Sequence, residues 1–223
     1  MSTHAACQEF VRVEVNGGII EGDLEIPAGA DSLVIFAHGS GSSRQSPRNR
    51  FVAHSLNEAG HATLLIDLLT PKEDHLDSIT GELRFDIDLL ATRLTAASDW
   101  AATHDETRDL IVGYFGASTG AAAALVDAAQ RKDVAAVVSR GGRPDLAGSA
   151  ISKVRAPTLL IVGGADYGVI QLNEVAYDDL VQSRHKELKV VHGATHLFEE
   201  TGALEEVARL AADWFSRFLR PQG

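Results

Sequence analysis

Short β-branched runs alternate along this chain with longer segments of helical period. Runs at residues 9–15, 19–26, 33–37, 62–66, 110–115, 134–139, 158–162 and 188–191 read as strands. The run 19–26 alternates apolar and polar positions, as a half-exposed antiparallel strand does. Later runs such as LVIFA, LIVGYF and TLLIV are continuously apolar, the pattern of strands covered by helices on both faces. Helical patterns fill the gaps. One starts at Ser46-Pro47, a good N-cap and first-turn pair, and stops at Gly60; others cover 85–103, 118–131, 169–184 and 203–219. In the last, Leu204, Val207, Ala211, Trp214, Phe215 and Phe218 recur at three- and four-residue spacing, a packing stripe. Two antiparallel-looking strands followed by β-α alternation predict an α/β architecture, a mixed, mostly parallel, twisted sheet of about eight strands with helices on both faces. No repeat, low-complexity stretch or Pro/Gly linker divides the chain, so residues 1–223 read as one domain.

Composition narrows the classes. With 31 acidic against 20 basic residues the net charge is −11, which argues against nucleic acid as a partner. Cys7 is the only cysteine, so neither an intramolecular disulfide nor a thiol metal cluster is expected. The start, MSTHAACQEFVRVEV, lacks the basic and apolar regions of a signal peptide, and no apolar run approaches the ~18–20 residues that span a bilayer. A cytoplasmic protein with no membrane partner is the expectation, a monomer or a homodimer through an edge strand.

The chemistry starts at Gly116-Ala117-Ser118-Thr119-Gly120, a G-x-S-x-G pattern between an apolar strand and an alanine-rich helix. A sharp strand-to-helix reversal puts the serine at a strained backbone geometry, and glycines two positions to either side remove Cβ atoms that would clash. The residues 121–124, all alanine, let the helix approach the sheet, and its N-terminus favours a developing anion. A serine needs a base. His196, in LKVVHGATHLFEE after the last strand, is the candidate, with His192 its near rival. The acid belongs after the preceding strand, where Gly163-Gly164 release the chain and present Asp166, which also reads as a helix N-cap; Asp145 is the alternative acid. The order Ser, Asp, His is that of α/β-hydrolases. The glycine-rich loop His38-Gly39-Ser40-Gly41 can aim a backbone N–H at the substrate oxygen, so Ser40 and Thr119 are the expected oxyanion donors, with His38 a structural support beneath the loop.

The loop HGSGSSRQSPRNR, the elbow GASTG, the acid segment GGAD and the histidine segment GATH together resemble the dienelactone-hydrolase-like branch of the α/β-hydrolases, over nearly the whole chain and in the same order. That resemblance implies the α/β-hydrolase fold and hydrolysis of esters or lactones without metal or organic cofactor. It departs from dienelactone hydrolase itself at the nucleophile, where Ser118 stands in place of a cysteine, which points to a serine carboxylesterase. The short stretch between residues 139 and 158 has no room for a large helical cap, so an open site for small acyl groups is expected. LLTPKEDHLDSITGEL is expected as an exposed acidic loop, with a flap over the site as the other reading. Arg44, Arg48 and Arg50 crowd the oxyanion loop, and Arg140 and Arg143 follow another strand end. Arg44 and Arg140 are the candidates for an anionic substrate, against the plainer reading that these arginines pair with Asp67, Asp145 or helix ends. A thioesterase or amidase on the same triad, and a non-catalytic small-ligand binder, are the alternatives.

Overall fold

The computed structural model describes residues 6–220; residues 1–5, which open the segment read above for a leader, and 221–223 lie outside the described residues. Strands β1 (Cys7–Val15), β2 (Gly18–Ile26), β3 (Ser32–Ala37), β4 (Ala62–Ile66), β5 (Ile111–Ala117), β6 (Val134–Arg140), β7 (Thr158–Gly163) and β8 (Lys186–Val191) form one sheet in the order β1-β2-β4-β3-β5-β6-β7-β8. β2 pairs antiparallel with β1 and β4, and every later pairing is parallel. This is the mixed sheet that the alternating first strands and apolar later ones predict.

Helices α1 (Pro47–Glu58) and α6 (Ala203–Phe218) cover one face, where Val52, Leu56, Trp214 and Phe215 pack on Phe36, Phe115 and Val138. Helices α3 (Ile87–Ala101), α4 (Thr119–Gln130) and α5 (Tyr167–Asp179) cover the other, with Leu94, Leu125 and Ala176 among the buried residues. Helix α1 begins where its cap predicts, the Ser46 hydroxyl accepting from the Asn49 N–H at 3.3 Å. Between β6 and β7 stands only a 3-10 segment, Pro144–Lys153, kinked at Gly148. Among the described residues, no helix is long and apolar enough to cross a membrane.

One expectation is corrected. The acidic stretch after β4 is a helix, α2 (Pro71–Thr80), and not a loop. Its ends carry the signals that its polar composition hides. Thr70 and Glu73 form a capping box, with Thr70 N–H to Glu73 Oε2 at 2.8 Å and Glu73 N–H to Thr70 Oγ1 at 3.3 Å. Pro71 opens the first turn and Gly81, at φ 69°, closes the last. Only Asp77 is buried along it, so no apolar stripe betrays the helix in the sequence.

Candidate active site

The nucleophile elbow follows from four close approaches. Ser118 sits at φ 50°, ψ −118°, one of two non-glycine residues with positive φ among the described residues. A Cβ on Gly116 would lie 2.4 Å from the Ala121 Cα, and one on Gly120 would lie 2.2 Å from the Ala37 carbonyl oxygen. Ala121, Ala122, Ala123 and Ala124 are all fully buried, which lets α4 settle directly on the sheet. Gly39 brings the oxyanion loop against the serine, since a Cβ there would stand 3.1 Å from Ser118 Cβ. The elbow is thus small because backbone packs on backbone, and its strain is held by that packing.

The candidate acid and base arrive from the neighbouring strand ends. A Cβ on Gly163 would lie 2.4 Å from Ala194 O and 2.5 Å from Thr195 O, so this glycine lets the loop after β8 close over the end of β7. Asp166 occupies the N-cap position of α5 but makes no side-chain cap hydrogen bond. Its carboxylate turns instead to His196, whose Nδ1 stands 2.7 Å from Asp166 Oδ2. His196 Nε2 stands 3.4 Å from Ser118 Oγ. An Nδ1–H donating to the aspartate leaves Nε2 as the acceptor facing the serine hydroxyl, the tautomer a general base needs. The histidine loop is pinned by Glu200, whose Oε1 accepts from the Thr195 N–H at 3.0 Å and from the Thr195 hydroxyl at 2.6 Å. That hydroxyl bond is the first cause holding the Glu200 carboxyl below its ordinary value.

The rival assignments fall elsewhere. Asp145 is engaged by Arg143 through two bonds of 2.8 and 2.7 Å, and His192 is exposed at the end of β8. His38 is buried beneath the oxyanion loop, its Nδ1 3.0 Å from Gly39 O and its Nε2 accepting from the Leu68 N–H at 3.0 Å. Burial is the main cause that lowers its pKa, so the ring is a neutral prop. Ser40 and Thr119 line one small cleft together with Gly39, Gly41 and Ser42. A groove of about 540 Å³, lined by none of the three triad side chains, runs beside it between the oxyanion loop, Pro47 of α1, and Asp74, Asp77 and Ser78 of α2, so the helix found in place of a loop borders the oxyanion loop. A second cavity, of about 620 Å³, lies between β1, β2, β4 and α1 and contains none of the three triad side chains.

The arginines separate sharply. Arg44 is committed to carboxylates, its Nη1 2.7 Å from Asp67, its Nη2 3.3 Å from Glu21 and its Nε 3.5 Å from Asp23. That is the plainer of the two readings, and it leaves this guanidinium no face for a substrate anion. Arg140 has no such partner: it is 6% exposed and bonds only the Asn49 Oδ1, at 3.2 Å. Arg48, which the sequence places in the same crowd without singling it out, meets Glu199 at 2.9 Å and disfavours the charge on Arg140, and no spacing rule distinguishes it from Arg44.

Comparison with known proteins places this geometry. Residues 22–222 match the family model described as PETase, PET hydrolase-like. A dienelactone hydrolase from Anabaena variabilis is 57% identical, covering 97% of this chain and 100% of that one, with a TM-score of 0.93. A Mycobacterium tuberculosis protein bearing a phosphoribosyl transferase name is 56% identical over 208 residues, which are 93% of this chain and 46% of that protein. The chain therefore spans about half the length of the curated relatives it matches. An esterase of Pyrococcus furiosus shares the fold, with a TM-score of 0.79 at 18% identity over 96% of this chain and 94% of that one.

Proposed function

The chain belongs to the PET hydrolase-like family and has the α/β-hydrolase fold, and from that premise we propose that it is a serine hydrolase that cleaves a carboxylic ester through Ser118, His196 and Asp166. The observation that carries this reading is the continuous relay from Asp166 Oδ2 through the His196 ring to Ser118 Oγ, at 2.7 and 3.4 Å, on a strained elbow. PET and dienelactone are named for the relatives. The bond those two share is the carboxylic ester, and that is what is carried over here. The transferase name belongs to proteins of which this chain matches 46%, and it is not carried over.

In this reading Ser118 Oγ attacks the ester carbonyl while His196 Nε2 takes the hydroxyl proton. The tetrahedral oxyanion meets the backbone N–H groups of Ser40 and Thr119, worth roughly 3–4 kcal/mol each. Collapse breaks the bond to the leaving alcohol, which receives the proton from His196 and departs. Water then attacks the acyl-Ser118 carbonyl, giving its proton to Nε2, and the carboxylic acid leaves as Ser118 recovers its hydrogen. Asp166 keeps the imidazole oriented and stabilises the imidazolium without itself being protonated. The 3.4 Å serine–histidine separation is longer than a working hydrogen bond and shortens when substrate fills the site.

The test is intact-protein mass after incubation with a fluorophosphonate, run beside p-nitrophenyl acetate turnover and a Ser118→Ala control. One adduct on the wild type, absent from the variant and accompanied by turnover, is expected. Turnover surviving in Ser118→Ala would sink the assignment. A comparison of matched oxyester, thioester and amide then ranks the leaving group.

A further inference from the structure

Among the described residues two arginines are buried, Arg93 and Arg140, and they are treated differently. Arg93, 2% exposed, bonds the Glu73 carboxylate at 2.6 Å and the Asn16 carbonyl at 2.8 Å. Half-buried Arg131 likewise holds Asp99 and Asp133. Arg140 has no such carboxylate. Its side chain leaves the end of β6 on the α1–α6 face, over the Phe198 ring at 5.9 Å, and no carboxylate lies within 4 Å of it among the described residues. Its Nε is buried without an acceptor, as is that of Arg93, so the missing carboxylate is what sets Arg140 apart. It shares its surroundings with another cation, Arg48, in the first turn of α1: Arg140 meets Asn49 and the Phe198 ring, and Arg48 meets Glu199, each the next residue along. Arg48 Nη1 reaches Glu199 at 2.9 Å, but its Nε too is buried without an acceptor. Burial first, and then Arg48, push the Arg140 guanidinium down to about 10. Two guanidinium groups with orphaned donors therefore converge at the positive end of a twelve-residue helix. A desolvated cation held beside another cation calls for an anion that the chain does not provide.

Resting on the hydrolase reading, the geometry points to Arg48, Arg140 and the α1 N-terminus as a subsite for an oxyanion carried on the substrate, phosphate or phosphonate being the best match. The main chain of Arg140 is already part of the catalytic centre: its carbonyl accepts from the Ser118 N–H at 3.2 Å. A Cβ on the next residue, Gly141, would lie 3.5 Å from His196 Cε1. The subsite is thus anchored on a strand end whose main chain holds Ser118 and whose next residue borders His196. Arg48, with a side chain 31% exposed, forms the mouth through which the oxyanion enters, and a dianion answers two cations better than a carboxylate does. Glu199 shields Arg48 in the free protein and is displaced when the oxyanion binds.

The experiment compares p-nitrophenyl butyrate with p-nitrophenyl 3-phosphonopropanoate on the whole chain, and follows inorganic phosphate by its effect on melting temperature. The wild type is expected to favour the phosphonate ester by roughly tenfold or more in kcat/KM, mostly through KM. In Arg48→Gln that preference should fall to about threefold or less. Arg140→Gln should do the same if it folds, and the more exposed Arg48 keeps the test alive if it does not. Inorganic phosphate should raise the melting temperature of the wild type and of Ser118→Ala alike, and not that of Arg48→Gln. Equal turnover of both esters with no stabilisation by phosphate would overturn the subsite and leave the hydrolase reading standing. Stabilisation by phosphate without a preference for the phosphonate ester would make this a site for free anion only and overturn the substrate assignment. No turnover of either ester, with stabilisation by phosphate retained, would instead remove the hydrolase reading.

Discussion

The two halves of the candidate catalytic centre differ in how much of their hold is packing and how much is polar. On the nucleophile side, Gly116, Gly120 and Gly39 let backbone pack against backbone, and buried alanines seat α4 on the sheet. On the histidine side, one close approach at Gly163 seats the loop, and the side chains at its exposed tip are tied by polar contacts, Asp166 to the ring and Glu200 to Thr195. Packing resists deformation from every direction, whereas a hydrogen bond fixes one group along one line. The nucleophile half should therefore answer to mutation through folding, and the histidine half through catalysis. Each experiment below is a way to break that division.

The largest effect belongs to Gly120→Val. The new side chain would start 2.2 Å from the Ala37 carbonyl, with backbone on both sides and no flexible neighbour to yield. A loss of about 3 kcal/mol or more in urea unfolding is expected, together with loss of fluorophosphonate labelling. A stable, labelled variant would show that the elbow is looser than its contacts imply.

Next comes Asp166→Asn on the other side. The amide keeps the shape but favours the wrong imidazole tautomer, so kcat should fall on the order of 10⁴-fold. Because the carboxylate makes no cap hydrogen bond to α5, the urea midpoint should move little. A stability loss rivalling that of the glycine variant would mean that the acid, too, is a packing element.

The same division explains what could be read from the amino-acid order. Strand β5, the elbow and α4 announce themselves because close packing demands small residues at fixed spacing, and spacing is visible in a sequence. The triad candidates follow from chain order for the same reason. Helix α2 does not announce itself. It buries only Asp77, so hydrophobic period is silent, and the Thr70–Glu73 capping box has to be weighed without an apolar stripe to support it. The arginines are the harder case. Arg44 and Arg48 sit four residues apart in one loop-to-helix segment, yet one meets Glu21, Asp23 and Asp67 while the other meets Glu199. Those partners come from β2, the end of β4 and the loop after β8, and no local pattern encodes which strand end a side chain will face.

A smaller effect tests the pin on the histidine loop. Thr195→Val removes the hydroxyl that donates to Glu200 at 2.6 Å and leaves the backbone N–H bond at 3.0 Å in place. Loss of one charge-assisted bond on an exposed loop should cost kcat/KM about five- to tenfold, with melting little changed. An unchanged rate would shift the positioning of His196 from Glu200 to the packing of Phe198, which is buried in the same loop at φ 56°.

The smallest effect lies in acid, where the two halves should part in the opposite order. His38 is the polar weakness of the nucleophile half: Nε2 accepts the Leu68 N–H, so protonating the ring forfeits that bond inside the fold. Burial holds its folded pKa below the ordinary histidine value of about 6.5. The unfolded chain then takes up the proton first, so this contribution to stability is complete above about pH 6.5 and is lost as pH falls through that value toward the folded one. His61, buried between Ser32 and Ser216, adds to the slope in the same direction. Glu200 behaves differently, because its carboxyl is held below the ordinary range and its bonds to Thr195 survive until pH falls through that lowered value. Between pH 7 and 5 the packed half should soften while the polar half holds. Urea midpoints from pH 8 to 5 report this, with His38→Gln as the comparison, because the amide oxygen still accepts from Leu68 and does not titrate. The variant should lose stability less steeply, by at most about 1.4 kcal/mol per pH unit. Parallel slopes would mean that acid enters the fold elsewhere, with His61 the first place to look.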